Sequence, residues 1–141
     1  MANVETLNEI LDKTAYIALA TSKDNKANVR VMTIWYNLEN KGVIYFPTVK
    51  TAPKTEEFNQ NSEVAITTIA NFQNGVLRIK SATVKKSELT VEDIKDGIAK
   101  NDPIFANTIQ RLGKEVFDVY EAHFDKAYIT VGADENIEII L

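Results

Sequence analysis

Arg30, Lys50, Lys54 and Arg78 are the side chains of this sequence best set to hold an anion. Arg30 lies in NVRVMTIWY, an otherwise apolar and β-branched run, and a guanidinium there needs a counter-charge, either a carboxylate of the protein or a phosphate of a ligand. A salt bridge, or a side chain snorkelling from the strand end, is the plainer outcome. Lys50 and Lys54 flank Thr51, a helix-capping residue type, and Pro53, which a helix tolerates in its first turn. A helix starting there and running through Phe58 would turn unpaired N–H groups and a partial positive charge toward the Lys50–Thr51 loop, a natural phosphate seat. The plainer reading is a capped connecting helix with solvated lysines. Arg78, in GVLRIKSATVKKS, repeats the question raised by Arg30.

Little else in the sequence can do chemistry. No catalytic acid or base stands out, and there is no cysteine, hence no disulfide and no thiolate metal site. The lone His123 has no visible cluster of carboxylates with which to bind zinc, so no metal site is expected. As a haem ligand it would stand alone, and a hydrogen-bonded structural histidine is the simpler reading. The net charge of −4, from 16 basic and 20 acidic residues without a basic block, argues against a nucleic-acid partner. The opening MANVETLNEILDK is amphipathic and acidic, and no run approaches the roughly 20 apolar residues that span a bilayer, so a cytoplasmic protein with no membrane partner is expected. At 141 residues and 45% hydrophobic content, a single domain over 1–141 is expected.

The elements that must position these residues follow from periodicity. Val4, Leu7, Ile10 and Leu11 make one helical face with Asn3 as N-cap. AYIALAT and NVRVMTIWY, joined by the turn-rich SKDNKAN, read as a hairpin. In its second strand Arg30, Met32, Ile34 and Tyr36 face one side and Val29, Val31, Thr33 and Trp35 the other. Neither face is cleanly polar, so both should be covered, inside a barrel or at a subunit interface.

The chain is organised around VIYFPTVKTAPKTEEFNQNSEVAITTI, read as a buried strand, a polar turn, a short helix and another apolar strand. A turn at Asn71–Gly75 leads into a long strand with Val76, Arg78, Lys80, Ala82 and Val84 on one side and Leu77, Ile79, Ser81 and Thr83 on the other. Thr90 and Asp93 start one helix; Asp102-Pro103 restarts a second, stopped by Gly113. Glu115–His123 reads as irregular chain or, in preference, as helix, since Val116, Val119, Tyr120 and His123 share a helical face, and AYITV and IEIIL, split by GADEN, as a closing hairpin. The sum is a mainly β protein, a six- or seven-stranded antiparallel barrel with peripheral helices.

In this arrangement the chain resembles the pyridoxamine 5'-phosphate oxidase-like family of FMN-binding split barrels, in particular its small general-stress-protein branch. The likeness is carried by YIALATSKDNKANVRVMTIWY, by the organising stretch and by VLRIKSATVKK, within residues 4 to 86. It implies a split β-barrel and a homodimer with a flavin in each cleft between subunits. It also implies an FMN phosphate held by the second-strand arginine and by the loop into the central helix. Arg30 matches that arginine, Thr48 the residue after the third strand that faces the flavin, and Lys54 the lysine at the helix start. Met32, Thr33 and Val49 would lie near the isoalloxazine ring, Lys50, Thr51 and Lys54 would be the donors to the phosphate, and Arg78 is a candidate contact from the second subunit. Trp35, Tyr36, Tyr45 and Phe46 could stack on a ring, although aromatic residues in strands are more often core.

Two departures matter. Where the oxidases carry Ser-Arg before the lysine, this chain has Ala52-Pro53, which removes a hydroxyl, a guanidinium and a backbone N–H; and its ending, IEIIL, lacks the Trp- and Arg-containing terminus used for pyridoxal phosphate. Vitamin B6 oxidase activity is therefore not carried over. The resemblance implies an FMN-dependent oxidoreductase acting on a small molecule, with a nicotinamide as possible electron donor. The alternatives are a non-enzymatic flavin, deazaflavin or haem module of the same barrel, or an interaction protein with an emptied site. The cofactor reading requires that the Arg30 guanidinium not be locked to a protein carboxylate.

Overall fold

The computed structural model describes residues 3–69, 75–130 and 136–141; the turns expected at Asn71–Gly75 and GADEN fall, all but their last residue, outside the described residues. Helix α1 (Val4–Asp12) is capped by the Asn3 side chain, which accepts from the Thr6 N–H at 3.1 Å, and it buries Leu7, Ile10 and Leu11. Strands β1 (Tyr16–Lys23) and β2 (Lys26–Thr33) pair antiparallel, from Tyr16 opposite Thr33 to Lys23 opposite Lys26. Asp24 and Asn25 between them have φ of 52° and 63°, the left-handed pair that a two-residue hairpin turn requires.

The chain continues through β3 (Trp35–Tyr36), β4 (Val43–Val49), α2 (Pro53–Gln60), β5 (Glu63–Thr68), β6 (Val76–Lys86), α3 (Val91–Ala99) and α4 (Phe105–Leu112). A 3-10 turn at Lys114–Val116 leads to β7 (Phe117–His123), β8 (Lys126–Thr130) and β9 (Asn136–Ile140). All pairings are antiparallel, in the order β2-β1-β5-β6-β7-β4-β3, with β8 on β6 and β9 on β8. The two ends of that path, β2 and β3, are consecutive in the chain through buried Ile34, so the sheet curls round on itself. Among the described residues no ladder joins β2 to β4, and the barrel stays split. The sheet has nine strands where six or seven were expected: the expected β8–β9 hairpin is present, NVRVMTIWY is divided into β2 and β3, and β7 lies where a helix was read.

Two apolar clusters explain why β4 is the organising strand. Ile44 and Phe46 point into the main core with α1, Phe58 and the inward faces of β1, β5 and β6. Val43 and Tyr45 point the other way, into a second cluster with Val91, Ile94 and Ile98 of α3 and Phe105 and Ile109 of α4. A strand covered on both faces reads as a continuous apolar run, as Val43–Phe46 does.

Three local expectations are corrected. Helix α2 is not capped by Thr51: its N-cap is Ala52, with no side-chain cap, because Pro53 holds the residue before it extended (φ −66°, ψ 140°). Phe117–His123 is a strand, not a helix; Phe117 and Val119 enter the second cluster while Tyr120 and Ala122 enter the main core, so its apolar residues follow no strict two-residue period. In β6 the strict alternation breaks. Leu77 and Ile79 are buried, then Ala82 and Val84, because a bulge opposite Val64–Ile66 reverses which side faces inward.

Candidate functional site

Lys54, Glu57 and Phe58 share one face of α2, since spacings of three and four residues return side chains to the same side. Phe58 anchors that face in the core, its ring 5.9 Å from Phe46 and 5.3 Å from Tyr120. The anchoring turns Glu57 onto the β1–β2 hairpin. There Arg30 Nη2 donates to Glu57 Oε2 at 2.7 Å, Thr21 Oγ1 donates to the same oxygen at 3.3 Å, and Asn28 Nδ2 donates to Oε1 at 3.2 Å. Arg30 Nη1 donates to Thr21 Oγ1 at 2.9 Å. An exposed pair, Lys23 with Glu56 at 3.2 Å, tacks the helix to the hairpin outside this cluster.

Of the two counter-charges open to Arg30 in the sequence, the structure therefore supplies the carboxylate. The free guanidinium that the cofactor reading required is not found: Arg30 is locked to Glu57, and a ligand phosphate could reach it only by displacing that carboxylate. Lys54 alters the balance. Burial first, and then repulsion from Arg30, push its ammonium below the ordinary lysine range, with Glu57 pulling the other way. It makes no ion pair among the described residues. Two cations thus share one carboxylate, and the cluster carries a net positive charge in a partly buried place.

The remaining residues singled out in the sequence scatter. Met32 is buried in the main core, and Thr33 Oγ1 donates to Asp102 Oδ2 at 3.1 Å. Thr48 is buried on β4, and its Oγ1 is the only buried side-chain polar atom among the described residues with no hydrogen-bond partner. Val49 packs against the second cluster. Lys50 lines a separate groove of about 620 Å³ with Lys86, Ser87 and Lys114, and Thr51 is exposed in the turn before α2. Arg78 lies outward on β6, in a trough of about 360 Å³ with Ala18, Ala20, Val29 and Ala65. Trp35 and Tyr45 pack on each other at 5.2 Å in the second cluster, and Phe46 and Tyr36 are core. His123 is on β7, its Nε2 2.7 Å from Glu121 Oε1, with Ser87 Oγ donating to the other oxygen at 2.6 Å. Burial works to raise the Glu121 pKa, but the Ser87 and His123 bonds and the charges of His123 and Lys85 together bring it below the ordinary range.

With this geometry in hand, the comparisons with known proteins decide the family. A family model described as pyridoxamine 5'-phosphate oxidase-like matches residues 10–136. The chain belongs to the pyridoxamine 5'-phosphate oxidase-like family. Its fold is similar to that of general stress protein 26 from Bacillus anthracis (TM-score 0.74, 14% identity, 97% of each chain covered). It is also similar to a FAD-binding protein from Mesorhizobium loti (TM-score 0.63, 12% identity, 90% of this chain and 92% of that one). A third likeness is to a heme binding protein from Mycobacterium smegmatis (TM-score 0.71, 13% identity, 96% of this chain and 57% of that one). No curated protein sequence matches the chain. Among the described residues, no helix is long and apolar enough to cross a membrane.

Sequence reasoning missed Glu57, Thr21 and Asn28, the partners that define this family member's Arg30 cluster. A signal existed for Glu57. Phe58 is the one large apolar residue of α2, so the positions beside it and one turn before it, Glu57 and Lys54, had to face the same way. Thr21 and Asn28 face each other across the hairpin, a pairing that depends on the two-residue turn.

Proposed function

We propose that the chain binds FMN in clefts between two copies and acts as a flavin-dependent oxidoreductase on a small molecule, taking electrons from a nicotinamide. The observation that carries the reading is the half-buried Lys54, which has no ion pair of its own among the described residues and feels the charges of the Arg30–Glu57 pair beside it, in a chain of a family whose fold neighbours include a FAD-binding protein. The surplus of one positive charge favours an anion, and Arg30 and Lys54 together would match a doubly charged phosphate once Glu57 gave way. The donor chemistry fits: a fork-shaped guanidinium, an ammonium without an ion pair, and the start of a helix without a side-chain cap. Arg30 and Lys54 would hold the phosphate. When bound, FMN supplies the redox chemistry; the protein has to hold it, orient it and shield it from water.

The outward face of β2, β1, β5 and β6 supports a dimer. Val31, Ala18, Thr67 and Arg78 form one cross-strand row, and Val29, Ala20 and Ala65 the next. Val29 and Val31 are each 63% exposed, Ile69 51% and Tyr16 44%. An exposed face with valines and alanines at its centre and Thr67, Arg78 and Lys80 along one side suits a second copy, and it would carry Arg78 to the interface. Haem is the poorer fit, because the only histidine, His123, is already engaged by Glu121.

Titration of the purified protein with FMN, followed by flavin absorbance and thermal melting, tests the reading. Binding that weakens at least about tenfold in Lys54→Met supports it. A protein that FMN neither colours nor stabilises overturns it, and bound flavin that no nicotinamide reduces leaves a flavin carrier in place of an oxidoreductase.

A further inference from the structure

The proposed phosphate seat already contains an anion, and that anion is built in with care. Glu57 is held on both carboxylate oxygens, by Arg30 and Thr21 on one and by Asn28 on the other. Thr21 passes the interaction on, accepting from Arg30 Nη1 and donating to Glu57, so guanidinium, hydroxyl and carboxylate form a closed ring. The ion pair keeps contact with solvent, its side chains 20% and 13% exposed, so an incoming phosphate can reach it without opening the hairpin.

We propose that Glu57 is a resident substitute for the ligand's phosphate, which must leave Arg30 for that phosphate to bind and which thereby limits the preference of the site for phosphate-bearing over phosphate-free flavin. The inference rests on the flavin reading above. With Arg30, Lys54 and Glu57 all charged, the cluster is net positive by one; a phosphate dianion entering beside Glu57 would make it net negative, with two anions on one guanidinium. Once Glu57 swings away, two cations balance the dianion. The nearby Lys23 is engaged by Glu56 and does not enter this balance. Displacing a carboxylate held by charge-assisted bonds subtracts from the affinity that phosphate contacts add, whereas a ligand without phosphate has no reason to disturb Glu57.

The test compares FMN with riboflavin on the full chain. Glu57→Gln keeps the shape, removes the charge and retains an acceptor on one side only, so that the bonds from Arg30 and Thr21 or the bond from Asn28 are lost, and it is expected to tighten FMN binding about tenfold with riboflavin nearly unchanged. Asn28→Ala loosens Glu57 without touching Arg30 or Lys54, and is expected to tighten FMN by about threefold. It carries the test if Glu57→Gln fails to fold. If the wild-type protein binds FMN and neither variant binds it more tightly, or if riboflavin gains in step with FMN, the inference is overturned while the flavin reading stands. If neither flavin binds the wild-type protein or the variants, both are overturned.

Discussion

The Arg30 guanidinium on β2 and the Glu57 carboxylate on α2 meet at 2.7 Å, and each is largely withdrawn from water. Removing one member of such a pair strands the other, while removing both exchanges charges for apolar contacts. Arg30→Met is therefore expected to lower the unfolding free energy by about 2 kcal/mol, and Arg30→Met combined with Glu57→Leu to recover most of that loss. Urea titrations of the four corners of the cycle give the answer. Losses that simply add would mean the two residues are energetically independent.

Lys54 pays for its place beside Arg30 in stability. Its folded pKa is lowered, chiefly by burial, from the ordinary 10.5, so between the two values the unfolded chain holds a proton that the folded chain does not. Stability rises with pH in that window, and the cost of the charge is present in full below it. The side chain is only half-buried, so screening keeps the cost under about 1 kcal/mol. Lys54→Met is expected to melt slightly higher than wild type at pH 7, with the difference fading as pH nears 10.5, while FMN affinity falls. A variant less stable at pH 7 would show that the ammonium has a structural partner.

Much of this architecture was legible because local signals and burial agree. The Asn3 cap, the Thr90–Asp93 capping box, the Asp24-Asn25 turn and the doubly buried Val43–Phe46 run each follow from residue type and spacing. β7 was misread because both of its faces are covered, so Val116, Val119, Tyr120 and His123 imitate a helical stripe. The bulge in β6 did leave a trace, the three-residue step from Ile79 to Ala82 between two alternating pairs. At the site, Arg30 was recognised as needing an anion, but the choice between a protein carboxylate and a ligand is made by how α2 seats Glu57 against the β1–β2 hairpin, and no local pattern encodes that.

Gly97 of α3 lies against the indole of Trp35, and a Cβ built there would overlap the ring. Trp35 is the only tryptophan and packs on Tyr45 at the floor of the second cluster. Gly97→Ala would force the indole or the helix to move, at a cost of about 1–3 kcal/mol. The expected readout is a red-shifted tryptophan emission with a lowered melting temperature. An unchanged emission spectrum would show that the helix shifts instead of the ring.

The outward valines of β2 give the dimer its most direct test. Val31 is 63% exposed and faces away from the core, so Val31→Asp should leave the folded monomer intact, within the narrow range usual for surface substitutions. In a dimer that packs this face, the same change buries a carboxylate from each copy in the interface. Wild type is expected to sediment as a dimer and Val31→Asp as a monomer with an unchanged far-ultraviolet spectrum. FMN affinity should fall with it, because a cleft formed by two subunits is lost while Arg30, Lys54 and Glu57 stay in place. A Val31→Asp protein that remains dimeric and binds FMN as before would move the interface to another face, and would separate Arg78 from the flavin site.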